Sequence, residues 1–130
     1  MTDIRARLQA TIDDALAPDG VYSYWQRKAE TAGEDADEYV VHTLDDNASE
    51  AFADDVPLVR STSFAVRYYY RDSLLNTSAG RTRIKDREKQ IASALISAGY
   101  TLPNGYFDAG DIDNVGFGTT IFPVEFWRVV

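Results

Sequence analysis

The chain has no cysteine, which excludes a disulfide framework and any thiolate metal site. It has a single histidine, His42, so histidine-based acid–base or metal chemistry rests on one residue. No apolar run approaches the roughly 18 residues of a membrane span. The first residues, Met1 to Arg7, are charged throughout and contain no apolar signal core. A membrane partner is therefore not expected. No glycine-rich loop followed by Lys and Ser or Thr is present to cradle phosphate. Lysine is scarce, at three residues.

What remains is an ordinary globular composition. The 130 residues are 45% hydrophobic and 26% charged, the size and make-up of one domain that folds without a staple. Aromatics reach 12%, with eight Tyr, six Phe and two Trp. The net charge is −8, which argues against general duplex binding, because such proteins replace phosphate counterions with basic groups. The charge is uneven. Glu30 to Asp55 carries ten acids and no base, whereas Arg60 to Lys89 carries eight bases against three acids. This division predicts either a solvated acidic loop beside a basic helix face, or self-association in which the acidic stretch of one copy meets the basic stretch of the next.

The pattern predicts a single α+β domain, a small, mostly antiparallel sheet packed on two helices. Ile4, Leu8, Ile12, Ala15 and Leu16 mark a helix over 3–16, capped by Thr2 and ended by Pro18 and Gly20. Val21 to Trp25 is β-prone. Lys28 to Asp37 reads as a loop. Tyr39 to Leu44 reads as a strand closed by Asp45-Asp46-Asn47, with Asp45 to Pro57 a loop that carries a helical turn around Ser49 to Ala53. Ser63 to Arg71 alternates with a period of two. Phe64, Val66, Tyr68 and Tyr70 share the core face, and Ser63, Ala65, Arg67, Tyr69 and Arg71 share a partly wet one. A turn through Asn76, Ser78 and Gly80 leads to a helix over 82–98. Its buried stripe is Ile84, Ile91, Leu95 and Ala98, its solvent side is Arg83, Lys85, Asp86, Glu88 and Lys89, and its stop is Gly99. Thr119 to Val130 is the last strand, and Pro123 makes it an edge or a bulge there.

The search for chemistry selects no catalytic, cofactor-binding or metal-binding residue. His42 lies in an apolar strand, and no spacing singles out a nucleophile and an orienting acid for it. Placing Asp111 at the first position of a calcium loop puts Asp113 at the third and Gly116 at the sixth. The fifth is then Val115 and the twelfth Phe122, neither of which supplies a ligand. Gly116-Phe117-Gly118 lacks the rest of a dinucleotide fingerprint. Tyr68-Tyr69-Tyr70 between Arg67 and Arg71 has the makings of a base-stacking platform, but alternation sends Tyr68 and Tyr70 to the core. Tyr22, Tyr24, Trp25 and Trp127 are candidate interface anchors as well as candidate core residues.

The succession Ile4–Leu16, Tyr39–Leu44, Ser63–Arg71, Arg83–Ala98 and Thr119–Val130 resembles the tail-terminator and tail-completion (head-tail joining) proteins of long-tailed bacteriophages. The start of the first β segment at Gly20-Val21-Tyr22 and the lead into the last strand at Asp111-Ile112-Asp113 are also similar. The resemblance covers nearly the whole chain but is one of architecture, and it carries over no functional residue. It implies a virion structural protein, assembled in the host cytoplasm, with no enzyme activity and no cofactor. It implies self-association in a ring, usually a hexamer, that caps the tail tube. The implied partners are the tail-tube protein and the head-connector protein, and DNA passes the lumen without sequence-specific binding. An acidic inner wall formed by Glu30 to Asp55 would suit that passage. Two readings compete: a small host binding or regulatory domain, and an enzyme using Asp111 and Asp113 as acid and base.

Overall fold

The computed structural model describes residues 4–26, 36–53, 56–112 and 116–129, with side chains described outside 46–60 and 128–129. The expected cap at Thr2, most of the loop expected over 28–37, and the expected roles of Asp113 and Val115 lie outside the described residues.

Helix α1 spans Ile4–Leu16 and buries Leu8, Ile12 and Leu16, the stripe its spacing predicts. A 3-10 turn over Ala17–Asp19 ends it, with Gly20 at φ 77°, a left-handed conformation that glycine adopts without a Cβ clash. The strands are β1 (Ser23–Trp25), β2 (Glu38–Ala53), β3 (Val56–Arg71), β4 (Phe107–Asp108) and β5 (Phe117–Val129). They form one sheet in the order β1-β2-β3-β5-β4. Only β1 and β2 run parallel, so the sheet is mostly antiparallel, as the sequence predicts.

The sequence reading fails over residues 45–57. Residues 45–53 and 56–57 are strand, neither loop nor helical turn: β2 continues to Ala53 and pairs with β3 through Ala53↔Val56. The register shifts three times, between Leu44 and Asp46, between Ser49 and Ala51, and between Ala51 and Phe52, as bulges absorb Asp45 and Glu50 on β2 and Leu58 on β3. A bulge lets a polar, poorly β-prone segment remain paired, because the partner strand and not local propensity supplies its backbone hydrogen bonds.

Helix α2 spans Ser78–Ser97 and starts earlier than 82. Thr77 caps it, its Oγ1 accepting from Gly80 N at 3.0 Å. Gly80 sits in the first turn instead of before it, and the backbone of Leu74 packs against it. A Cβ on Gly80 would lie 2.0 Å from the Leu74 carbonyl oxygen. Gly80→Ala is expected to lower stability by at least about 1–3 kcal/mol, because the obstacle is backbone and cannot rotate away. Chemical denaturation checks this, and an unchanged midpoint would refute the close approach. At the other end Gly99 takes φ 95° and Tyr100 N reaches back to Leu95 O at 3.0 Å, which closes the helix at the expected residue.

Both helices cover one face of the sheet. Leu8, Ile12, Leu16, Ile84, Ile91 and Leu95 pack on Val40, Phe64, Val66, Tyr68, Tyr70, Phe122 and Val124, so the even-numbered face of β3 is the core face, as alternation predicts. The Arg7 guanidinium lies 4.3 Å from the Phe126 ring centre and donates to Ala98 O at 3.0 Å, clamping α1 to the end of α2. Pro123 fits the expected edge. Its neighbours Thr119 and Glu125 turn their backbone groups outward, to Ala109 and Thr101. By parity the missing Pro123 donor faces that outer side, and the ladder with β3 runs through it unbroken.

Candidate assembly surface

The buried polar residues hold the fold together. Glu38, at the start of β2, is buried. It accepts from Tyr68 Oη at 2.5 Å, Arg83 Nε at 2.8 Å and Arg87 Nε at 3.0 Å. Arg87 also donates to Asp19 and Gln90, both at 2.8 Å, and Gln90 donates to Ala15 O at 2.8 Å. One carboxylate thus ties β2, β3, α2 and the end of α1 together. Burial works to raise the Glu38 carboxyl, but the hydrogen bonds from Arg87, Tyr68 and Arg83 outweigh it and hold it below the usual range. Glu88, expected on the solvent side of α2, is buried instead. It accepts from Thr120 Oγ1 at 2.6 Å, and burial pushes its carboxyl up.

This network spends part of the charge division read from the sequence. Asp37 and Glu38 belong to the acidic stretch, and Arg71, Arg83 and Arg87 to the basic one. They pair within the chain. The rest of the acid that β2 carries lies farther along it, at the exposed Asp45 and then at Asp46 and Glu50.

The residues weighed for chemistry are dispersed. His42 is buried, with Nδ1 2.8 Å from Ser23 Oγ. The nearby acid, Asp13, accepts from the Ser23 backbone N at 2.8 Å and not from the imidazole. The serine therefore stands between acid and base, which is not the order a nucleophilic triad requires. Burial and the Arg5 charge lower the His42 pKa to about 4, so the ring is neutral at pH 7. Asp111 Oδ2 accepts from Gly116 N at 2.9 Å and closes a turn. Among the described residues no group of three or more His, Asp or Glu side chains is placed to hold a metal. The tyrosine run is committed internally: Tyr68 to Glu38, and Tyr69 stacked on Tyr39 with centroids 4.8 Å apart.

A cleft of about 450 Å³ is lined by Gln9, Asp13, Tyr22, Ser23, Tyr24 and Glu38, among others. Burial raises the Asp13 carboxyl. Both acids have structural partners, Asp13 in the β1 backbone and Glu38 in the two arginines.

The surface offers more than the interior. Tyr22, Trp25 and Trp127 are each about half exposed (49%, 51% and 49%), so three of the four candidate anchors are available for contact, and Tyr24 is half-buried. Phe107 is exposed to 51%. The sheet face opposite the helices carries Ala65, Arg67, Ile121, Pro123 and Trp127, placed there by the β3–β5 register. Arg67 stands in that face with its Nε buried and unpartnered among the described residues. The alternation of β3 assigns Arg67 to this face, but its isolation depends on neighbours that no local pattern reveals. The chain matches no protein-family model and no curated protein.

Proposed function

We propose that this chain is a structural assembly protein that closes into a ring, most simply a hexamer, at the end of a phage tail tube and helps join the tail to the head. The observation that carries the reading is the β2–β3 hairpin. Its two strands stay paired from Glu38 and Tyr70 at one end to Ala53 and Val56 at the other. Such an arm suits contact with a neighbour. The half-exposed Trp25 and Trp127 suit hot-spot anchors. A ring needs a heterologous contact that closes, and an arm on one side with an aromatic face on another meets that need. The role requires no active site. Its partners are further copies of the chain, the tail-tube protein and the head-connector protein, with DNA passing through unread. The α+β layout agrees with the family resemblance.

Native mass spectrometry and light scattering, alone and with tail-tube protein, test this. The expected result is a closed species of about six copies or a cap that halts tube growth. A chain that neither associates nor affects tube length overturns it. The cleft beside Asp13 favours a second reading, a small host binding domain. That reading expects a monomer whose melting point rises with a small ligand and ignores the tube.

A further inference from the structure

We infer that the helix-free sheet face around Arg67 is the docking site for the acidic β2–β3 hairpin of a second copy of this chain. The inference rests on the assembly reading above and names the surface that reading needs.

Arg67 pairs across the sheet with Val41 on one side and Ile121 on the other, and Ile121 pairs with Phe107. The guanidinium thus stands in a row of apolar neighbours near the middle of the sheet. It has neither ion pair nor hydrogen bond among the described residues, and its Nε is shut away from water. Three other arginines of the basic stretch are spent. Arg71 pairs with Asp37 at 2.9 Å, and Arg83 and Arg87 pair with Glu38. A buried donor left without an acceptor is costly, and an incoming carboxylate supplies one through a charge-assisted, two-pronged hydrogen bond. Around it Ile121, Pro123 and the half-exposed Phe107 supply apolar contact, with Trp127 farther along the same face.

The occupant follows from charge. Residues 45–55 hold five acids, Asp45, Asp46, Glu50, Asp54 and Asp55, and no base, with Phe52 among them. The segment joins carboxylates to one aromatic, the complement of an arginine in an apolar face. Two copies of a chain of net charge −8 repel one another, and a contact of acid with base offsets that repulsion and fixes the register. Arm and face lie at different places in the chain, as a head-to-tail contact requires, and such a contact, repeated, propagates around a ring.

Two variants test it, Arg67→Glu and the hairpin pair Asp46→Lys with Glu50→Lys, measured by sedimentation velocity and native mass spectrometry up to the highest soluble concentration. Each variant alone is expected to lose at least tenfold in self-association relative to the parent, and mixing the two restores it, because reversed arm then meets reversed face. Arg67→Met, which keeps the aliphatic stem, is expected to weaken association without lowering the melting temperature, which separates docking from folding. If the parent forms a ring and Arg67→Glu forms it equally well, this surface is wrong and the assembly reading stands. If the parent never associates under any condition, both are wrong.

Discussion

Glu38→Ala is expected to cost about 3–5 kcal/mol of folding stability, the loss typical of removing one partner from a buried, hydrogen-bonded ion pair. The carboxylate is 3% exposed and accepts from three side chains on two elements. Its removal leaves the Tyr68 hydroxyl buried without an acceptor, and leaves Arg87 with only Asp19 and Gln90, at the protein surface. The cost lies in these stranded groups more than in the lost attraction. Adding Tyr68→Phe or Arg87→Met to Glu38→Ala should therefore recover part of the stability. Arg83→Ala should cost no more than about 1 kcal/mol, because the Arg83 side chain is 45% exposed and its charge is screened. The pH dependence has a definite sign. The folded Glu38 pKa is depressed, so its stabilisation is present above the unfolded carboxyl value of about 4.3 and is lost as pH falls through the folded one. Urea denaturation at pH 7 measures the loss, and a value under about 1 kcal/mol for Glu38→Ala would remove the network from its central place.

The second large effect is a loss of stability on mild acidification, caused by His42. The buried ring titrates at about 4 in the folded chain and near 6.5 when unfolded. Between those values the unfolded chain binds a proton that the native chain refuses. Stability therefore falls as pH drops from about 6.5 to 4, by up to about 1.4 kcal/mol per pH unit and by roughly 3 kcal/mol in all. Asp13 and Glu88 act in the opposite sense. Burial raises both carboxyls, so they contribute most below the unfolded carboxyl value, and that contribution is lost as pH rises through their folded values. Their effect falls mainly at the acid end of the range. Denaturation curves for the parent and for His42→Gln at pH 7, 6 and 5 separate the contributions. The parent should weaken across that series and the variant should stay nearly level. Equal slopes would mean that the imidazole is reached by water or gains a partner when protonated.

The same physics explains which parts of the fold were legible. Helix faces and the core side of β3 follow from spacing, because 3.6-residue and two-residue periods each leave a local trace that burial then uses. The ends of α1 and α2 were readable at Gly20 and Gly99, where backbone conformation depends on one residue. The hairpin beyond Asp45 was not readable, since Asp, Asn and Ser are poor strand formers and only pairing with β3 keeps them extended. The start of α2 was misplaced for a related reason. Gly80 looks like a turn residue, but it is required by a carbonyl from the preceding segment that packs against it. Glu88 looked solvated because it neighbours Lys85 and Lys89 in sequence, whereas its partner, Thr120, arrives from β5.

By itself the sequence determined the class of fold, its two helical stripes, the inward face of its main strand, and the lack of cysteine and of any recognisable catalytic motif. These are properties of neighbouring residues and of composition. Tertiary structure decided how the charges are spent: Glu38 gathers Arg83 and Arg87 from another element, Asp37 takes Arg71, and Arg67 is left without a partner among the described residues. Pairing of charges depends on distances between segments far apart in the chain, and those distances exist only once the sheet and helices have packed.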